Sequence, residues 1–122
     1  MKGKNMLNAE IKARAERQIA TITASYRHSK AGYRPEAMAL PYYETQEDFN
    51  LYRPEDAGND FREENEFVSE ILKGLRANGV PAEMVTIRHV NYSKWLNGRK
   101  NTTDTRAQYC GFLVSEMHRD SA

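Results

Sequence analysis

Residues 61–78 constrain the fold more than any other stretch, because the start, the face and the stop of one helix are all written there. Asp60 can cap the N-terminus, and Glu63 stands three residues on, the spacing of a capping box. Glu63, Glu64 and Glu66 crowd the first turn while Lys73 and Arg76 lie near the end, which suits the helix dipole. Phe67, Val68, Ile71, Leu72 and Leu75 form one apolar stripe, and Asn78-Gly79 supplies a left-handed stop. Such a helix cannot bury its stripe alone, so the chain must supply a second layer.

Residues 6–28 offer that layer. Leu7, Ile11, Ala15, Ile19, Ile22 and Tyr26 recur at steps of three and four. Lys12, Arg14, Arg17 and Arg27 are spread around the rest, which makes 1–30 a basic amphipathic helix. The stripe is long enough to serve a homodimer through residues 7–26 as well as the domain's own core. Residues 103–118 predict a last helix, with Thr102 or Thr103 as cap, Asp104 in the first turn, and Ala107, Cys110, Leu113, Val114 and Met117 on its buried side. Gly111 weakens that helix unless a neighbour packs close.

Two stretches are less regular. Residues 31–60 read as an irregular acidic–aromatic segment, interrupted by Pro35, Pro41 and Pro54 and carrying Tyr33, Tyr42, Tyr43, Phe49 and Tyr52 among acids such as Glu36. A short helix is expected near 45–51. Residues 81–97 fit either a strand over 83–88, from Met84-Val85-Thr86-Ile87, or a helix opened by Pro81 and closed by Gly98. The helical reading is preferred, because a strand needs a partner and no second strong strand is visible. The fold class is therefore mainly α, a small domain of three to four helices, with a short strand as the alternative. Residues 61–122 form its helical, helix-turn-helix-like core.

Composition narrows the function. Val, Ile, Leu and Phe together number 21 of 122 residues, so the core must lean on tyrosine and methionine. No apolar run approaches a membrane span, and no apolar stretch follows Met1-Lys2-Gly3-Lys4, so no membrane partner is expected and the cytoplasm is the default address. A single cysteine, Cys110, excludes an internal disulfide and a paired-cysteine zinc site. The net charge of +1 hides segregation. Residues 1–30 carry seven Lys/Arg against two acids, a net +5; residues 31–69 carry three against ten, −7; residues 70–122 carry eight against five, +3. Opposite blocks can compensate one another inside a fold, or offer one face to polyanions and another to basic partners.

The stretch most suggestive of function runs from Tyr92 to Thr102. A helix ends at glycine, a basic turn follows, and a capped helix begins. Ser93, Lys94, Asn97, Arg99 and Lys100 place donors at a helix end where phosphates can be clamped, and Arg106 adds a charge from the next helix. Trp95 and Leu96 anchor the same helix to the core. Ser93-Lys94-Trp95-Leu96-Asn97-Gly98-Arg99-Lys100 resembles the end of the recognition helix in the Cro/phage-repressor helix-turn-helix family, over about residues 90–114. Upstream the pattern departs from the family: Gly79 to Trp95 is about one helical turn too short, with no small residue marking the turn. The resemblance implies Asn91, Tyr92, Ser93 and Lys94 near bases or phosphates of duplex DNA, with Arg99 and Lys100 on the backbone.

Catalysis finds no comparable pattern. His28, His89 and His118 lack metal-ligand spacing, and Cys110 falls on an apolar stripe. No cofactor, metal or catalytic residue is expected, so the chain does not read as an enzyme. The first functional reading is a small DNA-binding protein of phage or plasmid regulator type. The alternative is a non-enzymatic interaction module or inhibitor of a host protein. It would act through residues 31–66, with Tyr42, Tyr43, Glu47, Asp48, Phe49 and Tyr52 as the contact residues, since aromatics framed by acids can dock on a basic surface.

Overall fold

The computed structural model describes residues 2–28 and 37–121, with side chains for 9–28 and 37–119. The side chain of Leu7, and all of Tyr33, Pro35 and Glu36, lie outside the described residues. The order is α1 (Lys2–His28), β1 (Met38–Tyr43), α2 (Gln46–Tyr52), a 3-10 turn (Pro54–Asp56), α3 (Phe61–Ala77), β2 (Ala82–Ile87), α4 (His89–Leu96) and α5 (Thr103–Ser121). The domain is mainly helical, as expected, with one two-stranded sheet.

The helix over 61–77 starts and stops where its sequence requires. Asp60 accepts the Arg62 backbone N–H as N-cap, and Gly79 takes the left-handed conformation at φ +77°. Thr102 caps α5 by accepting the Thr105 backbone N–H at 3.1 Å.

The preference for helix throughout 81–97 is corrected. Residues 82–87 form β2, and only 89–96 are helical. The missing partner strand lies inside the segment expected to be irregular. Met38–Tyr43 pairs with Ala82–Ile87 in parallel, from Met38↔Ala82 to Tyr43↔Ile87. Parallel strands need a crossover, which α2, the 3-10 turn and α3 provide. Pro41 is tolerated because β1 is an edge strand. Met38 N–H points to Pro81 O at 2.8 Å, so alternation turns the backbone groups of Ala39, Pro41 and Tyr43 away from β2. Asn65 seals the last of these, donating to Tyr43 O and accepting from Tyr43 N–H. Proline and asparagine thus close off most of that edge to further pairing.

Each face of the sheet carries its own core. On one side α3 covers the strands and α1 packs against α3, burying Ala15, Leu40, Val68, Ile71, Leu75, Val80 and Ala82. Ile19, Ile22 and Tyr26 lie partly buried against the same cluster, so the described part of the α1 stripe packs at least partly within the chain. On the other side α5, α4 and α2 bury Tyr43, Phe49, Tyr52, Tyr92, Tyr109, Cys110 and Val114 with Val85 and Ile87.

Candidate nucleic-acid interface

α4 is positioned from both ends. At its start, Asp48 of α2 accepts the His89 backbone N–H and sits 2.9 Å from His89 Nδ1, while Thr45 Oγ1 donates to the other carboxylate oxygen at 2.8 Å. Burial pushes the Asp48 carboxyl up, but the hydrogen bonds from the His89 backbone and ring and from Thr45 outweigh it and lower the group below its usual range. Asp48 is therefore a cap borrowed from a neighbouring helix. At the other end, Asn97 takes the left-handed conformation at φ 49° and Gly98 follows at φ 86°, which turns the chain sharply towards α5.

The basic and amide residues expected to meet DNA fall into two groups. Asn91, Ser93, Lys94, Asn97, Arg99 and Lys100 are exposed along α4 and the turn. The Arg99 guanidinium lies 4.2 Å from the Trp95 ring centre and donates to the Leu96 and Trp95 carbonyls, which satisfies the helix end. Among the described residues none of Lys94, Arg99 and Lys100 has a carboxylate within ion-pair range. Tyr92 and Arg106 belong to the interior instead. Tyr92 is buried, and its hydroxyl is shared between Asn101 Oδ1 at 2.8 Å and Thr105 Oγ1 at 3.0 Å. The Arg106 side chain is 12% exposed and is held by Glu55, Asn101 Oδ1 and the Tyr52 carbonyl. Ahead of α4, where the repressor resemblance implies a further helix, stands β2.

The acidic–aromatic surface is also divided. Tyr43, Phe49 and Tyr52 are core residues, and Asp48 is spent on α4. These four cannot meet a partner from this arrangement. Tyr42 and Glu47 remain exposed, and Leu51 shares a helix face with Glu47.

Sequence reasoning missed the ties that build the site. Asp48 to His89 spans 41 residues and Glu55 to Arg106 spans 51, so no local pattern announces them. Cys110 is buried and faces Tyr52 Oη at 3.4 Å; burial pushes the thiol up despite that hydrogen bond, which leaves a poor nucleophile. Among the described residues no group of three or more His, Cys, Asp or Glu is placed to hold a metal, and no helix is long and apolar enough to cross a membrane. No family model, curated protein or solved structure matches the chain.

Proposed function

We propose that the protein is a small, non-enzymatic DNA-contacting protein of regulator type, which meets the phosphate backbone with the C-terminal half of α4 and the turn into α5. The observation that carries this reading is the contrast among its cations. Arg53, Arg88 and Arg106 are each paired with acids of the middle segment, whereas Lys94, Arg99 and Lys100 stand exposed with no carboxylate partner among the described residues. Neutralised charges are poor phosphate ligands, and free ones release counterions from DNA on binding. The amides and hydroxyl of Asn91, Ser93 and Asn97 lie on the same stretch and suit phosphate or base-edge oxygens. The resemblance of Ser93–Lys100 to a repressor helix end adds support for this stretch but not for a complete two-helix unit.

Fluorescence anisotropy of a labelled duplex, titrated across salt concentrations, tests the reading. Three phosphate contacts give a slope of about −3 in log Kobs against log salt. Absence of binding at low salt overturns it. A second reading, contact with a basic protein, is favoured by the exposure of Leu51 on the helix face of the acidic Glu47, and by the exposure of Tyr42. It is the outcome to pursue when the duplex does not bind.

A further inference from the structure

The aromatic core of the α4–α5 face reaches the surface at one ring. Phe112, midway along α5, is 42% exposed. It packs against Trp95 of α4 with ring centroids 6.3 Å apart, and lies at 22° and 6.3 Å to Tyr109 of its own helix. Tyr109 is buried and Trp95 half-buried, so two anchored rings back the exposed one. An aromatic held in this way gives up little side-chain freedom when a ligand covers it. Gln108, four residues earlier and on the same side of α5, is exposed and carries an amide that suits a base edge.

Charge selects what covers this ring. The Trp95 ring behind Phe112 is the one that the Arg99 guanidinium covers at 4.2 Å. Arg99 Nε and Nη2 donate to the end of α4, while Nη1 makes no hydrogen bond among the described residues. Lys94 adjoins Trp95 in the chain and Lys100 adjoins Arg99; both are exposed. The acid one turn beyond Phe112 on α5, Glu116, is paired with Arg119 at 3.5 Å. Uncompensated cations and an exposed aromatic therefore share one patch. An apolar protein surface would satisfy the ring and strand the cations. A duplex would satisfy the cations but keeps its base faces stacked on one another. An unpaired nucleotide meets both, with its phosphate on the cations and its base on the ring.

We infer that Phe112 is a stacking platform for a base of single-stranded nucleic acid, whose phosphates lie on Arg99, Lys94 and Lys100. The inference rests on the DNA-contacting reading of α4 and its turn, and adds unpaired bases to the backbone contacts proposed there.

Anisotropy titrations of the full chain at low salt, with an oligothymidylate, an abasic strand of the same length and a duplex as separate probes, test the inference. Trp95 is the sole tryptophan, so its emission reports on a base seated beside it. Wild type binds the oligothymidylate about tenfold more tightly than the abasic strand, as expected of one stacked base, and only the oligothymidylate quenches Trp95. F112L keeps an apolar side chain but has no π-face. It loses that tenfold advantage while its affinities for the abasic strand and the duplex, and its thermal midpoint, stay at wild-type values. F112Y restores the advantage. A merely structural role for Phe112 would weaken all three ligands together and would overturn the inference. Equal affinity of wild type for the thymidylate and abasic strands, with the duplex still bound, overturns the inference and leaves the DNA-contacting reading standing. Absence of binding to all three probes overturns both.

Discussion

The two faces of the sheet are packed by different chemistry. On the α1–α3 face the fully buried residues are aliphatic, and stability there comes from close approach of helices. Gly74 marks the closest point: a Cβ at that position would stand 2.2 Å from Ile19 Cδ1 and 2.8 Å from its Cγ1. On the α4–α5 face the core is a chain of rings, from Phe49 and Tyr43 through Tyr52 and Tyr92 to Trp95 and Tyr109, with centroids 4.6–5.9 Å apart for most neighbours. Those rings have polar tips, and the tips hold loops. Tyr92 Oη fixes Asn101, Asn101 Nδ2 donates to the Tyr52 carbonyl, and Arg106 joins the same group. One face supplies rigidity, while the other also sets the position of the basic turn.

Substitutions can break this contrast, beginning with the largest effect. L75A, at a fully buried aliphatic position, lowers stability by about 3 kcal/mol in denaturant unfolding. G74V drives a branched side chain into Ile19 and costs about 2 kcal/mol. Neither shifts DNA affinity in conditions where the protein remains folded. Y92F leaves the ring in place but removes the hydroxyl's bonds to Asn101 and Thr105. It costs about 1 kcal/mol and changes the NMR signals of residues 97–106. An equal loss of DNA affinity in L75A and Y92F would erase the distinction between the faces.

Acid sharpens it further. The Asp48 carboxyl titrates below its unfolded value, so its contribution is present above about pH 4 and is lost as pH falls through the lower folded value. The stability difference between wild type and D48N therefore shrinks as pH is lowered from 5 towards 2. A constant difference across that range would show that the ionised carboxylate does not support α4.

How much of this was legible in the chain follows from how local each signal is. α3 and the start of α5 carry their own caps and stripes, and both are found where Asp60, Gly79 and Thr102 place them. β1 was hidden because it contains a proline, and because its justification is β2, which begins 44 residues after it. The same distance effect kept Arg106 among the exposed cations and Tyr43, Phe49 and Tyr52 among the exposed rings. Composition gives the charge and the aromatic character, but only long-range packing decides which groups face water. Lys94, Asn97, Arg99 and Lys100 were legible because a helix end and a glycine turn expose whatever they carry.

The division between free and spent cations is tested most directly by the salt dependence of duplex binding in two variants. K94A/K100A is expected to flatten the slope of log Kobs against log salt by about 2 while its thermal midpoint stays unchanged. R106A is expected to lower the midpoint, since it leaves Glu55 without its cation and removes one of the two donors to Asn101 Oδ1, and to keep the wild-type slope. A flattened slope in R106A with an unaltered slope in K94A/K100A would contradict the account.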